Sequence, residues 1–182
     1  QNEFLPGGNY WSLMDVDPYR LSIYAQDKLE YKGFVAIAGL NLDYIDPNGD
    51  WYVVDQYNDD FYSSNYTAAS ESTFEKIKLD PQIELSPRLA LSHPITETSK
   101  LYFNYGHYLQ MPIAQDLYRV RRGFSEEVLT IGDPNLPMAN TIAYEIGFDQ
   151  SFLESYLIHI SAYYKDISNQ QDYTKFLSLI HI

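Results

Sequence analysis

The chain has 182 residues and no cysteine, which excludes a disulfide framework and a thiolate metal site. This absence fits an oxidising compartment such as the periplasm or the cell surface. No apolar run approaches the roughly 20 residues that a membrane-spanning helix needs. The first nine residues show no basic segment followed by an apolar one, so no signal peptide is visible and we expect the true N-terminus to be missing.

Positive charge is also scarce, because 12 Lys and Arg stand against 25 Asp and Glu and the formal net charge is −13. This balance argues against a nucleic-acid partner and against a polybasic anchor on an anionic membrane surface. The residue in excess is tyrosine, with 18 copies. Tyrosine favours strands, and its ring suits a boundary between water and an apolar phase.

Apolar and polar residues alternate along most of the chain. In the first such segment Leu21, Ile23 and Leu29 share one face, while Arg20 and Ser22 lie on the other. The pattern predicts an all-β chain, an antiparallel up-and-down meander of about six long strands. We place these strands near residues 19–31, 34–45, 77–93, 100–110, 141–152 and 156–167.

The connections between these strands alternate between short turns and two long polar loops, 46–76 and 111–140. Outer-membrane barrels alternate in this way, with short periplasmic turns and long extracellular loops. The predicted apolar faces carry one formal charge, Asp27, close to a turn. A soluble or surface-attached, tyrosine-rich β-sheet protein that binds glycans would show the same alternation and stays the alternative. A non-transporting adhesin or porin barrel is a third option.

Several segments, taken in order, resemble the barrel of TonB-dependent receptors, most closely the type with a carboxypeptidase-regulatory-like domain. The order and spacing of the segments carry the resemblance, which covers about residues 6–169. The most telling pair is Gly-Asp-Pro-Asn-Leu at 132–136 followed by Thr-Ile-Ala-Tyr-Glu-Ile-Gly at 141–147. The other segments are 25–33, 39–44, 85–96 and 102–112.

The resemblance implies energised uptake of a ligand across the outer membrane of a Gram-negative bacterium. Its implied partners are membrane lipid, lipopolysaccharide, an extracellular ligand and the TonB complex, which acts through a plug domain. Plug, TonB box and closing strand are absent from this sequence, so we expect residues 1–175 to be a partial barrel, an open curved sheet. The tail 176–182 does not resemble the family, and we expect it to be non-native.

The sequence contains no nucleophile elbow, phosphate-binding loop or dinucleotide motif, and its four histidines lack metal-ligand spacing, so we predict that the chain is not an enzyme. The loops are rich in aromatic residues, which could stack on a ligand or pack the loops together. One basic cluster could bind an anionic ligand or lipopolysaccharide phosphates, or be a solvated turn. The ligand-binding candidates are Trp51, Tyr57, Tyr62, Tyr66, Tyr118, Arg119, Arg121 and Arg122.

The start of the first loop offers alternate oxygen ligands at Asp46, Asn48 and Asp50, as at the start of a calcium-binding loop. The later glycine and the bidentate glutamate of such a loop are missing. A calcium site and an acidic, solvated turn are therefore both open at this point. No other cofactor is predicted.

Overall fold

The computed structural model describes residues 16–55, 57–123, 126–153 and 155–175. Six long strands form one sheet in the order β1-β2-β5-β6-β9-β10, and two short ribbons, β3-β4 and β7-β8, lie in the connections. The strands are β1 (Tyr19–Tyr31), β2 (Phe34–Asp46), β3 (Asp50–Tyr52), β4 (Lys76–Lys78), β5 (Gln82–Thr96), β6 (Ser99–Gln110), β7 (Val120–Arg122), β8 (Val128–Ile131), β9 (Ala139–Phe152) and β10 (Tyr156–Ser168).

All neighbours in the large sheet are antiparallel, and the sheet is not closed: β1 and β10 each have one partner strand among the described residues. Short turns join β1 to β2, β5 to β6 and β9 to β10, all at one end. In the first of these, Lys32 and Gly33 both have positive φ, which glycine accepts without strain. The predicted fold class, an open six-stranded antiparallel meander, is confirmed.

In the register of the sheet, apolar residues of neighbouring strands lie opposite each other, so that one apolar face extends across the whole sheet. Leu42 pairs with Leu85, Leu91 with Phe103, and Phe103 with Ile146. The side chains on this face are large and exposed; Leu21 is 57% exposed and Ile160 is 62% exposed. We call this side of the sheet the apolar face. A folded chain in water would cover such a surface.

The opposite side, the polar face, pairs its charges within the sheet. Asp43 is almost fully buried and accepts hydrogen bonds from Asn41 Nδ2 at 2.6 Å, from Arg20 Nη2 at 2.6 Å and from Ser22 Oγ. A second group links β6, β9 and β10. There, Asp149 Oδ1 lies 2.5 Å from His159 Nδ1, and Asp149 Oδ2 lies 3.1 Å from Lys100 Nζ.

Three glycines on the polar face lie under tyrosine rings. A Cβ on Gly39 would approach the Tyr24 hydroxyl to 2.8 Å, and one on Gly106 would approach the Tyr108 hydroxyl to 2.9 Å. A Cβ on Gly147 would collide with the ring of Tyr102, its partner in register on β6. Each glycine therefore leaves the space that a tyrosine fills.

The strand predicted near 77–93 is wrong in its bounds. Its first residues belong to β4, which pairs with β3, and β5 begins after Pro81 and extends to Thr96. Proline has no N–H to donate to a ladder, so Pro81 separates the two strands. Pro87 lies within β5, and the ladder to β6 begins at the next residue, Arg88.

Most buried apolar side chains lie in the two long connections. The main cluster contains Trp51, Phe61 and Leu79 from the first connection, and Leu117, Tyr118, Val120 and Val128 from the second. No helix in the described part of the chain is long and apolar enough to cross a membrane. The tail 176–182, predicted to be non-native, lies outside the described residues.

Candidate functional site

The connection from β2 to β5, residues 47–81, is the first loop, and it is folded. Its ends meet in the β3-β4 ribbon, where Trp51 pairs with Ile77. Beyond the ribbon, side chains fix tight turns: Asp55 Oδ1 accepts from the Tyr57 amide at 2.8 Å, and Asn58 Oδ1 from the Asp60 amide at 3.0 Å. A 3₁₀ helix, Ala68–Thr73, follows and is capped by Thr67.

The connection from β6 to β9, residues 111–138, is the second loop. It contains a one-turn helix, α1 (Ala114–Leu117), and the β7-β8 ribbon. Gly132 then passes so close to α1 that a Cβ would collide with the carbonyl oxygens of Asp116 and Leu117. The Asp133 carboxylate accepts from the Asn135 amide at 2.9 Å, and burial raises its pKa despite this bond.

The two loops share one hydrophobic core, and we call them together the loop cap. The Trp51 ring meets the Tyr118 ring edge-on, with centroids 5.6 Å apart, and Phe61 makes a similar contact with Phe74 at 5.0 Å. The Trp51 indole also donates to the carbonyl oxygen of Gly132 at 2.9 Å. Trp51 of the first loop therefore packs against Tyr118 and donates to Gly132, both in the second loop.

A buried polar cluster also stabilises the interface between the two loops. Arg122, which is 5% exposed, forms an ion pair with Glu71 and donates to the Tyr66 hydroxyl. The Tyr66 hydroxyl donates to Glu71 Oε1 at 2.5 Å. Burial and the bond to Glu71 raise the pKa of Tyr66 to about 12, although Arg122 opposes the shift.

The structure separates the candidate ligand-binding residues by their burial. Trp51, Tyr118 and Arg122 are buried within the loop cap, and Tyr62 and Tyr66 are half-buried. Tyr57 is 85% exposed. The basic cluster is dispersed rather than gathered: Arg119 pairs with Asp116 at 2.7 Å, Arg122 with Glu71, and Arg121 is exposed.

Glu71 and Gly132 complete the interface, and neither was among the sequence-predicted site residues. Glu71 gives no sequence signal, because it meets Arg122 only once both loops have folded. Gly132 belongs to the segment 132–136 that carried the family resemblance. Its close approach to α1 gives a physical reason for a glycine there.

The proposed calcium ligands lie at the start of the first loop. Asp46 already accepts three hydrogen bonds: from the Asn48 amide at 2.7 Å, and from the hydroxyls of Tyr19 at 2.8 Å and Tyr44 at 3.2 Å. Within the described ranges, no group of three or more His, Asp or Glu residues is placed to hold a metal ion. Calcium binding by Asp46, Asn48 and Asp50 stays a prediction.

Comparison with known proteins identifies a family and a similar solved structure. The family described as TonB dependent receptor-like, beta-barrel matches residues 2–177. The hemophore receptor HasR of Serratia marcescens, in a double mutant bound to its hemophore HasA and heme, has a similar fold with a TM-score of 0.59 at 18% identity. The similarity covers 84% of this chain but 26% of that one. No curated protein sequence matches the chain.

Proposed function

The chain belongs to the TonB-dependent receptor β-barrel family, and we propose that it forms part of the wall, with two extracellular loops, of a receptor that imports a ligand. Barrels of this family lie in the outer membrane of Gram-negative bacteria, and the family is one of receptors rather than enzymes. The chain spans about a quarter of the HasR chain that it matches. Transport is therefore proposed for the whole receptor to which this wall would belong.

The exposed apolar face carries this proposal. On β2 it runs in ten residue steps from Phe34 to Tyr44, or about 34 Å of strand. At the tilt of about 40° usual in membrane barrels, this becomes a height of about 26 Å, against about 25 Å for the apolar band of such barrels. Tyr19 and Tyr44 lie side by side at one border, with their rings tilted and the ring centroids 6.0 Å apart, and Tyr31 lies near the other border. These aromatic residues suit the two membrane interfaces.

The polar face suits a water-filled or protein-filled lumen. Its charges are paired side by side, as in Arg20 with Asp43 and Lys100 with Asp149. In the complete receptor this face would meet the plug domain through which TonB acts, while lipid and lipopolysaccharide would meet the apolar face.

The loop cap would face the outside, because the short turns lie at the opposite end of the sheet. Of the candidate ligand-binding residues, Tyr57 and Arg121 are exposed and could contact a ligand directly. Arg119 is half-buried and could contact it in part. The buried Trp51, Tyr118 and Arg122, with the half-buried Tyr62 and Tyr66, would hold the cap in shape. The bound hemophore and heme belong to HasR; the ligand of this receptor is left unspecified.

Fractionation of cells that express the full-length receptor tests the assignment. We expect the receptor in the outer-membrane fraction, soluble only in detergent, with a gel mobility that changes on heating. Tyr57→Ala should then weaken TonB-dependent uptake, while Tyr173→Ala, another exposed tyrosine outside the cap, should not. A receptor that is monomeric and soluble without detergent would instead favour the glycan-binding β-sheet protein.

A further inference from the structure

Arg88, on β5, is a cation of the polar face that has no carboxylate partner among the described residues. Other cations of that face, Arg20, Lys28 and Lys100, form ion pairs at 2.6, 3.0 and 3.1 Å. The Arg88 guanidinium instead lies over the Tyr108 ring of β6, with Cζ 5.0 Å from the ring centroid. Contact with a ring orients a guanidinium but satisfies none of its N–H donors.

The Tyr108 hydroxyl is a second polar group without a partner beside this guanidinium. A Cβ on Gly106 would lie 2.9 Å from the hydroxyl, and Gly106 pairs in register with Arg88. The hydroxyl makes no hydrogen bond to any residue that the structure describes. Tyr108 is 46% exposed, and Arg88 is exposed as well. Both donors are therefore open to the space above the polar face.

Within the described part of the chain, the acidic residues of the polar face do not neutralise Arg88. On β5 itself, Glu84 stands four residues earlier, about 13 Å away along the strand. On β9, Glu145 accepts hydrogen bonds from Asn104 Nδ2 at 3.1 Å and from the Tyr102 hydroxyl at 3.3 Å. The guanidinium thus keeps its capacity to bind an anion.

Arg88 also lies near the middle of its strand. It stands five residues after Ile83 and seven before Ile95, two exposed side chains toward the ends of the apolar face on β5. If the apolar face spans the membrane, this guanidinium lies inside the barrel at about half its height. Charged groups at such a depth are rare, and they pair with an opposite charge or lie along the path of a ligand.

We propose that Arg88 and Tyr108 form an oxyanion-binding site on the polar face, which binds a carboxylate or phosphate group. The guanidinium supplies the charge and a fork of N–H donors, and the Tyr108 hydroxyl donates to the same group. The oxyanion is supplied by a solute that enters the lumen, or by an acidic side chain of the receptor outside the described residues. The position inside a lumen rests on the proposed function, whereas the proximity of the two donors does not.

Titration calorimetry of the full-length receptor in detergent at low salt tests a soluble source, with inorganic phosphate and citrate as probes. Arg88→Gln should weaken binding by at least about tenfold, because a charge-assisted hydrogen bond is lost. Tyr108→Phe keeps the ring and removes one donor, so binding should weaken by about fivefold. The matched control is Lys28→Gln, which removes a polar-face cation that is already paired with Glu30. It should leave the affinity unchanged.

Zero-length carbodiimide cross-linking tests an internal source. In Arg88→Lys the introduced amine should couple to a carboxylate of the same receptor outside the described residues, and mass spectrometry of the digested protein identifies that carboxylate. Lys28 and Glu30, whose charged atoms are 3.0 Å apart, provide the positive control for the reaction.

Binding of phosphate or citrate that depends on Arg88 identifies a soluble source, and a cross-link at position 88 identifies an internal one. The proposal is overturned if neither is found, or if Lys28→Gln weakens binding as much as Arg88→Gln does. In that case the proposed function still stands if the receptor fractionates with the outer membrane. A receptor that is soluble without detergent would instead refute the proposed function, whatever the result at Arg88.

Discussion

Gly132 lies where the second loop passes the end of α1, and its carbonyl accepts the hydrogen bond of the Trp51 indole. We expect Gly132→Ala to destabilise the cap by about 1–3 kcal/mol, because the new methyl group collides with two backbone carbonyl oxygens that cannot rotate away. Hydrogen exchange at β7 and β8 measures the loss.

The control for this substitution is Gly49→Ala, in the first loop. A Cβ there would meet its nearest atoms at 3.9 Å, an ordinary van der Waals contact. Exchange should therefore stay close to that of the unsubstituted receptor. Equal effects of the two substitutions would contradict the role given to the close approach at Gly132.

Tyr66 titrates outside the ordinary range of tyrosine, with a pKa of about 12 in the folded cap against 10.0 in the unfolded chain. Below pH 10 the phenol is protonated in both states, and its contribution to stability is fully present. Between pH 10 and 12 the unfolded chain releases this proton first, so the contribution is lost as pH rises. The difference in tyrosinate absorbance between the receptor and Tyr66→Phe should therefore rise near pH 12. A rise near pH 10 would show that Tyr66 is not held by burial and Glu71.

At the residue scale, the sequence alone identified aromatic and basic residues in the loops. It did not distinguish side chains that could contact a ligand from side chains that hold the loops in shape. Trp51, Tyr118 and Arg122 were grouped with Tyr57 as ligand-binding candidates. Burial separates them, and burial depends on partners that lie far along the chain: Tyr66 and Arg122 are 56 residues apart. Side-chain type alone carries no information on such pairings.

At the scale of elements, Tyr102 lies over Gly147, and its hydroxyl contacts Glu145 at 3.3 Å and His159 at 3.2 Å. Gly147→Ala would push this ring aside and break both contacts, which tie β6 to β9 and β10. We expect a destabilisation of about 1–3 kcal/mol, measured as a lower urea midpoint for unfolding of the full-length receptor.

A double-mutant cycle isolates the contact between the ring and the glycine. In a Tyr102→Ala background the ring is absent, so Gly147→Ala should have a much smaller effect. If the two substitutions are simply additive, the collision with Tyr102 is not the cause of the destabilisation.

The long strands could be predicted from the sequence because alternation is a local signal and one face of each strand is mostly apolar. The β3-β4 and β7-β8 ribbons could not be predicted from the sequence. Each of their strands is only three or four residues long, and each ribbon is stabilised by packing against the opposite loop. The misplaced start of β5 has the same origin: the alternation continues through Ile77 and Leu79, but Leu79 is buried in the cap core. Tertiary contacts decide such short elements.

At the scale of the whole molecule, the six-stranded sheet has one apolar face and one polar face, and the apolar face is exposed. Most burial of apolar side chains takes place in the loop cap, and the sheet contributes little. The sheet would therefore be unstable as an isolated layer in water, and a lipid environment on the apolar side, as proposed above, would account for its composition.

Two neighbouring residues near the middle of β10 test which side meets lipid. Ala162 lies on the apolar face, paired with Ile146, and Ser161 lies on the polar face, paired with Gly147; both are exposed. In a bilayer, Ala162→Arg should destabilise the full-length receptor by about 2–4 kcal/mol, because a cation near the midplane has no water to solvate it. Ser161→Arg, facing the lumen, should have a much smaller effect. Reversible urea unfolding in phospholipid vesicles measures both. If the two substitutions are equally mild, the apolar face is solvated, and the glycan-binding β-sheet protein becomes the better description of this chain.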